Sequence, residues 1–201
     1  EYVPGAFADL VELAALCEPA ARIGAPYVSH LRSYADGVAP GMAEALELGR
    51  RTRVPLHISH YRGRAEPLLA HLEGADASFD SYPHLYGNTI LAMRALPSHV
   101  QRGGVEATLE RLRDPGVRAE LAADWFPRLR DELAVTVLGH IGAPEFRWAQ
   151  GLRVSEAAER AGLSPDDFVC ELLVACDLVV NCVIPLVGGN SDDDIRALAR
   201  D

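Results

Sequence analysis

Short apolar runs, several rich in β-branched residues, alternate with segments of helical period along the 201 residues. Ala25 to His30 and Val54 to His60 are two such runs, each predicted to be a strand. Between them Met42, Ala45, Leu46 and Gly49 recur at the spacing of one helix face, after breaks at Asp36-Gly37 and Pro40-Gly41. Upstream, Glu1 to Gly5 reads as a strand end entering a Pro-Gly turn, and Phe7, Leu10, Leu13, Ala14 and Cys17 form a helical face. Downstream, Pro67 to Leu72 is a short helix stopped by Gly74, and Ala77 to Pro83 is a third strand. Tyr86 to Gly104 reads as loop, because Gly87-Asn88, Pro97-Ser98 and Gly103-Gly104 punctuate it. Helices follow over Val105 to Leu112, from Asp114-Pro115 through Trp125, and over Ser155 to Ala161, with Gly162 as a stop. Ser164 caps a further helix with Pro165 at its first position, and Ser191 with three aspartates opens the last one. Val135 to Leu138 and Leu178 to Leu186 are the remaining strands. Alternating strands and helices predict an α/β fold with parallel strands and no dividing linker.

Within this pattern one phrase occurs twice. Tyr27-Val28-Ser29-His30-Leu31-Arg32 is echoed by His57-Ile58-Ser59-His60-Tyr61-Arg62. His30 and His60 are thirty residues apart, about one β-α-β unit. If both runs are parallel strands, the two imidazoles take matching places at neighbouring carboxyl ends, the functional edge of such sheets. Two neutral imidazoles there suit zinc or a related divalent ion. The competing reading is a pair of structural histidines capping strands, at about even weight. His57 is three positions from His60, so strand alternation puts it on the opposite face, as a structural or supporting group.

Composition narrows the choices. The chain is 49% hydrophobic, enough for a substantial core, which argues against disorder. A net charge of −10 without an aromatic-basic stripe argues against a nucleic-acid surface. There is no lysine in the sequence, so no Schiff-base lysine or carboxylated lysine can arise within this chain. Cys17, Cys170, Cys176 and Cys182 lack paired spacing and read as buried thiols in a reducing, cytoplasmic compartment. No signal peptide or membrane span is visible in the sequence.

Arg32 and Arg62 each follow a histidine by two positions and could clamp a carboxylate, or simply pair with an acid at a rim. Asp80 and Tyr82 close the third strand, and Tyr82 either donates to substrate or is a half-buried aromatic. Asp192, Asp193 and Asp194 are helix-start charge rather than a metal loop.

Taken together, the phrases resemble the N-acyl-D-amino-acid deacylases (D-aminoacylases) of the amidohydrolase superfamily. The matching pieces are Tyr2-Val3-Pro4-Gly5, Tyr27 to Arg32, Ile58-Ser59-His60, Phe79 to Pro83, Gly87-Asn88-Thr89, Arg111 to Pro115, and Arg118. Val154 to Ala158 and Asp166 match more loosely. The resemblance implies part of a metal-dependent (β/α)8 TIM-type barrel, roughly from the end of strand 4 to just before strand 8. The chain would be an internal portion of a single catalytic barrel domain. His30 and His60 match the metal ligands of strands 5 and 6, holding zinc or another divalent metal ion. Tyr2 and Tyr82 match tyrosines of the substrate pocket. Arg62 stands where the family usually carries Lys, meeting the substrate carboxylate. Asn88 falls where a small hydroxyl residue is common, and His84 replaces an aromatic. The family's His-x-His, its bridging-ligand segment and its catalytic Asp have no match in this chain. The implied activity is metal-dependent hydrolysis of an N-acyl-D-amino acid, a small-molecule substrate, with no nucleic-acid or membrane partner; an incomplete barrel would expose open strand edges and invite self-association into a homo-oligomer. The alternatives are another amidohydrolase acting on a linear or cyclic amide, or a non-catalytic α/β chain.

Overall fold

A computed structural model describes residues 5–32, 38–61, 63–185 and 191–200. The predicted strand end at Glu1 to Gly5 lies almost wholly outside these residues, as do Tyr2 and Arg62. The chain forms two compact units, Glu1–Leu85 with Leu186–Asp201, and Tyr86–Pro185.

In the first unit three strands, β1 (Tyr27–Ser29), β2 (Leu56–Ile58) and β3 (Ala77–Phe79), make a parallel sheet in that order. The crossovers carry helices α2 (Val38–Thr52) and α3 (Ala65–Leu72), so the predicted β-α-β units are present. Helix α1 (Leu10–Arg22) is capped by Asp9, whose side chain accepts from the Val11 and Glu12 N–H groups. It contains Pro19 and packs against α2. Helix α2 buries Met42, Ala45 and Leu48, one turn-spaced face, while Leu46 is only half-buried. Central β2 buries Leu56 and Ile58 among Met42, Leu68 and Leu198. Each such side chain removed from water contributes about 1.5–3 kcal/mol before entropy is counted. Leu198 comes from α11 (Asp192–Leu198), which lies against α3.

The second unit departs from the predicted parallel arrangement. Its strands β4 (Tyr86–Ile90), β5 (Val137–Ile141) and β6 (Val180–Pro185) pair antiparallel in the order β4-β6-β5. The stretch expected to be loop from Tyr86 to Gly104 contains β4 and helices α4 (Leu91–Ala95) and α5 (Ser98–Gln101). Five consecutive pairings with β6 override the turn character of Gly87-Asn88. Gly139 of β5 permits a close approach, since a Cβ there would sit 3.1 Å from the Asn181 carbonyl oxygen.

Helices α6 (Gly104–Arg113) and α7 (Pro115–Glu120) follow, the latter capped by Asp114 as its Asp-Pro start predicts. A π-helical turn, Leu121–Trp125, joins α7 to α8 (Phe126–Val135), so the helical path runs past Trp125, where it was expected to end. Pro127 supplies the reason: its ring cannot fit a regular α-helical turn, and the wider turn before it takes up the clash. Helices α9 (Val154–Ala161) and α10 (Pro165–Ala175) pack together, with Gly162 left-handed after the first and Ser164 capping the second. Their core centres on Phe168, fully buried beside Phe146 and Trp148. All four cysteines are buried free thiols, and burial pushes Cys170 up to about 11 and Cys182 up to about 12.

Candidate active site

The carboxyl ends of β1, β2 and β3 gather a row of rings. His30 follows β1, and its ring centroid lies 4.8 Å from that of His60 after β2. His60 is 5.5 Å from Tyr82, and Tyr82 stacks on His84 at 4.9 Å and 21°. His30, His60 and Tyr82, three of the candidates read from the sequence, therefore stand side by side.

The pairing of His30 with His60 is not a simple matter of register. Tyr27 faces Leu56 and Ser29 faces Ile58, an offset of 29 positions. The two histidines are thirty apart in sequence, so His60 lies one residue beyond the ladder position matching His30. Continued strand alternation would turn its side chain to the other face. Instead β2 ends at Ile58, and His60 adopts φ +56°, in the left-handed region. That conformation costs a residue with a Cβ about 1–2 kcal/mol. It takes up the extra residue and brings the ring back beside His30. The same turn overturns the expectation that His57 and His60 face apart, because both rings reach one carboxylate.

That carboxylate is Asp80, just after β3. Its Oδ1 accepts the His60 backbone N–H at 3.0 Å and lies 3.2 Å from His60 Nδ1. Its Oδ2 lies 3.0 Å from His57 Nε2, while His57 Nδ1 meets the Ser78 hydroxyl at 2.9 Å. The Asp80 N–H donates to the Ile58 carbonyl at 3.0 Å, and its own carbonyl accepts the Tyr61 N–H at 2.7 Å. Partial burial acts to raise the Asp80 pKa, but the hydrogen bonds from His60 and His57 and the charge of His60 outweigh it, leaving the carboxyl below its ordinary value. Sequence reasoning placed Asp80 at a strand end without giving it a part. The signal was there: it ends β3 as the two histidines end β1 and β2. Tyr61 is fully buried against Phe79, 5.2 Å between centroids, and its hydroxyl has no hydrogen-bond partner among the described residues. Burial raises its pKa.

Two candidates take other roles or stand elsewhere. Arg32 donates to Glu44 at 2.6 Å and to the Ala8 carbonyl at 2.6 Å, the rim ion pair of its bland reading. Asn88 lies in the other unit, exposed in the middle of β4 and opposite Val183. Asp193 and Asp194 act at the start of α11, with Asp194 completing a capping box with Ser191, as helix-start charge predicts.

The donor chemistry at the row fits a divalent metal in part. Two imidazoles converge, and an ionised Asp80 accepts only, so His60 Nδ1 donates to it; in the neutral form of that ring Nε2 carries the lone pair a metal would take. Among the described residues no group of three or more His, Cys, Asp or Glu is arranged to hold a metal. His30 and His60 thus fit as two ligands, where a catalytic zinc usually has three from protein. Among the described residues no helix is long and apolar enough to cross a membrane.

Comparison with known proteins points to enzymes named as deacylases of N-acyl-D-amino acids. The chain's relatives are enzymes of that kind, although no family model matches it. It is 32% identical to an N-acyl-D-aspartate deacylase of Alcaligenes xylosoxydans xylosoxydans over 164 residues, 72% of this chain and 31% of that protein. From the same organism, a D-aminoacylase is 32% identical over 101 residues and an N-acyl-D-glutamate deacylase 34% over 102, each match covering 45% of this chain and 21% of the relative. The chain therefore spans between a fifth and a third of these relatives' length. Among solved structures, an N-acyl-D-glutamate deacylase from Bordetella bronchiseptica, complexed with zinc and a phosphonate mimic of the tetrahedral intermediate, matches all of this chain and 35% of its own, with a TM-score of 0.69 and 20% identity. A D-aminoacylase described as defining a novel subset of amidohydrolases matches 97% of this chain and 34% of its own, with a TM-score of 0.63 and 22% identity. Another D-aminoacylase structure, concerned with a binuclear metal centre, gives a TM-score of 0.61 at 20% identity over 97% of this chain and 34% of its own. These likenesses establish a shared α/β fold with part of those enzymes.

Proposed function

We propose that the protein carrying this chain hydrolyses the amide bond of N-acyl-D-amino acids, releasing a D-amino acid and a carboxylic acid. The observation that carries this reading is the His30–His60 pair, 4.8 Å apart at neighbouring parallel strand ends with Tyr82 beside it, in a chain whose relatives are N-acyl-D-amino-acid deacylases. His30 and His60 would hold a divalent metal, zinc in the first instance. A metal bound there supplies Lewis-acid chemistry, polarising a carbonyl and making water more acidic. His60 offers its Nε2 because Asp80 occupies its Nδ1. Tyr82, half-buried next to His60, would donate its hydroxyl to a substrate. Arg62 follows His60 by two positions and is assigned the substrate carboxylate, which its planar fork can bind bidentately. Tyr2 completes the substrate contacts on the strength of the resemblance. The parallel sheet of the first unit belongs, in this reading, to one stretch of a (β/α)8 barrel.

The purified protein, assayed with N-acetyl-D-glutamate, N-acetyl-D-aspartate and N-acetyl-D-leucine beside their L-enantiomers, is expected to release amino acid from D-substrates only. It should carry zinc, and the H30A/H60A double variant should lose zinc and activity together while keeping its circular dichroism. Equal zinc in both proteins, or hydrolysis of none of these amides, would overturn the assignment.

A further inference from the structure

Asp80 does more at this edge than close a strand. Three donors converge on its two oxygens: the His60 N–H at 3.0 Å, His60 Nδ1 at 3.2 Å and His57 Nε2 at 3.0 Å. Its backbone holds Ile58 and Tyr61, the residues two before and one after His60. The left-handed turn is thus clamped from both sides and from its own N–H by a single residue of the neighbouring strand. Behind it, Ser78 and His57 form a supporting chain: an ionised Asp80 accepts a hydrogen bond from His57 Nε2–H, and in the neutral ring this leaves Nδ1 to accept from the Ser78 hydroxyl at 2.9 Å.

We infer that Asp80 is the positioning residue of the histidine pair: it locks the backbone turn at His60 and fixes that ring with its proton on Nδ1, so that Nε2 faces outward beside His30. This rests on the metal reading of His30 and His60 for its purpose, and its structural content is independent of that reading. A histidine ligand held by a carboxylate in this way is oriented and made more basic. Loss of such a partner weakens metal affinity about 10–100-fold.

The test begins with metal-free protein. Long-range proton–nitrogen spectra of histidine-labelled protein report which ring nitrogen is protonated. In the wild type His60 is expected as the Nδ1–H form and His57 as the Nε2–H form. In Asp80→Ala, His60 should lose the Nδ1–H preference, and zinc affinity, read by chelator competition, should fall about 10–100-fold. Asp80→Asn gives a sharper signature. Its amide oxygen can still accept from both donors of His60, while its amide N–H faces His57, so His60 should stay as it was and His57 should switch to the Nδ1–H form. Zinc affinity should then return close to that of the wild type. Should Asp80→Ala fail to fold, the Asn variant decides alone. A folded Ala variant with unchanged His60 and unchanged zinc affinity, or an Asn variant that frees His60 or leaves His57 unchanged, would overturn the inference. A wild type that binds no zinc would overturn the metal reading instead, while the ring states in the metal-free protein still decide whether Asp80 sets His60.

Discussion

At the scale of single residues, His60 carries the most unusual backbone at the site. With φ at +56° it occupies a region where glycine is at home and other residues pay. The usual order of Ala and Gly substitutions should therefore invert: His60→Gly is expected to be more stable than His60→Ala by about 1 kcal/mol, measured by urea unfolding of the metal-free protein. An Ala variant as stable as the Gly variant would mean that the turn relaxes when the ring is gone. This turn also marks where reading the sequence stopped working. The repeated Ser-His-x-Arg phrase drew attention to the right pair of histidines. Strand alternation then put His57 and His60 on opposite faces, because nothing in a histidine codon announces a left-handed backbone; a glycine there would have. Asp80 was visible but had no assigned partner, since its contacts come from residues twenty and more positions away.

Among the elements, those with local signals were legible and those set by distant pairing were not. Asp114-Pro115, Ser164-Pro165 and Ser191 each start a helix as their side-chain chemistry predicts. β4 was read as loop because Gly87 and Asn88 favour turns, and only its pairing with β6, nearly a hundred residues on, makes it a strand. Asp194 does more than its own helix requires. Besides closing the capping box of α11, its Oδ1 accepts the N–H of Ala65 at 2.8 Å, the first residue of α3, whose own cap position, Arg64, makes no side-chain bond. One carboxylate thus satisfies the amino ends of two packed helices. The Ala65 hydrogen bond first, then those from Ser191, hold its pKa below the ordinary value. Because the folded value lies below the unfolded one, this contribution is complete above about pH 4 and is lost as the pH falls through the folded value. Asp194→Ala should cost about 1–2 kcal/mol at pH 7, and the gap to wild type should narrow on acidification in denaturant titrations. An undiminished gap at low pH would place the effect elsewhere.

For the molecule as a whole, the two units differ in how much apolar material they gather around their sheets. The second packs β6, alternately buried from Val180 to Ile184, beneath a continuous cluster that includes Phe126 and Phe168. In the first, β1 is an edge strand with Val28 55% exposed. Amide exchange followed by mass spectrometry should therefore find the β6 segment slower than the β1 segment by at least ~10-fold. Equal protection would mean that both units open together. The α/β character was legible from the alternation of apolar runs, but the direction of the second sheet was not, because it is set by pairings between segments far apart in the chain.

The backbone turn at His60 also bears on any attempt to move this histidine pair to another scaffold. Copied onto two ideal parallel strands at matching positions, the side chains would sit side by side without help; copied with their native spacing, they would end on opposite sides of the sheet. A transplant that keeps the native spacing must therefore include the hinge and the acid that holds it, so the smallest portable unit is three strand ends and not two imidazoles.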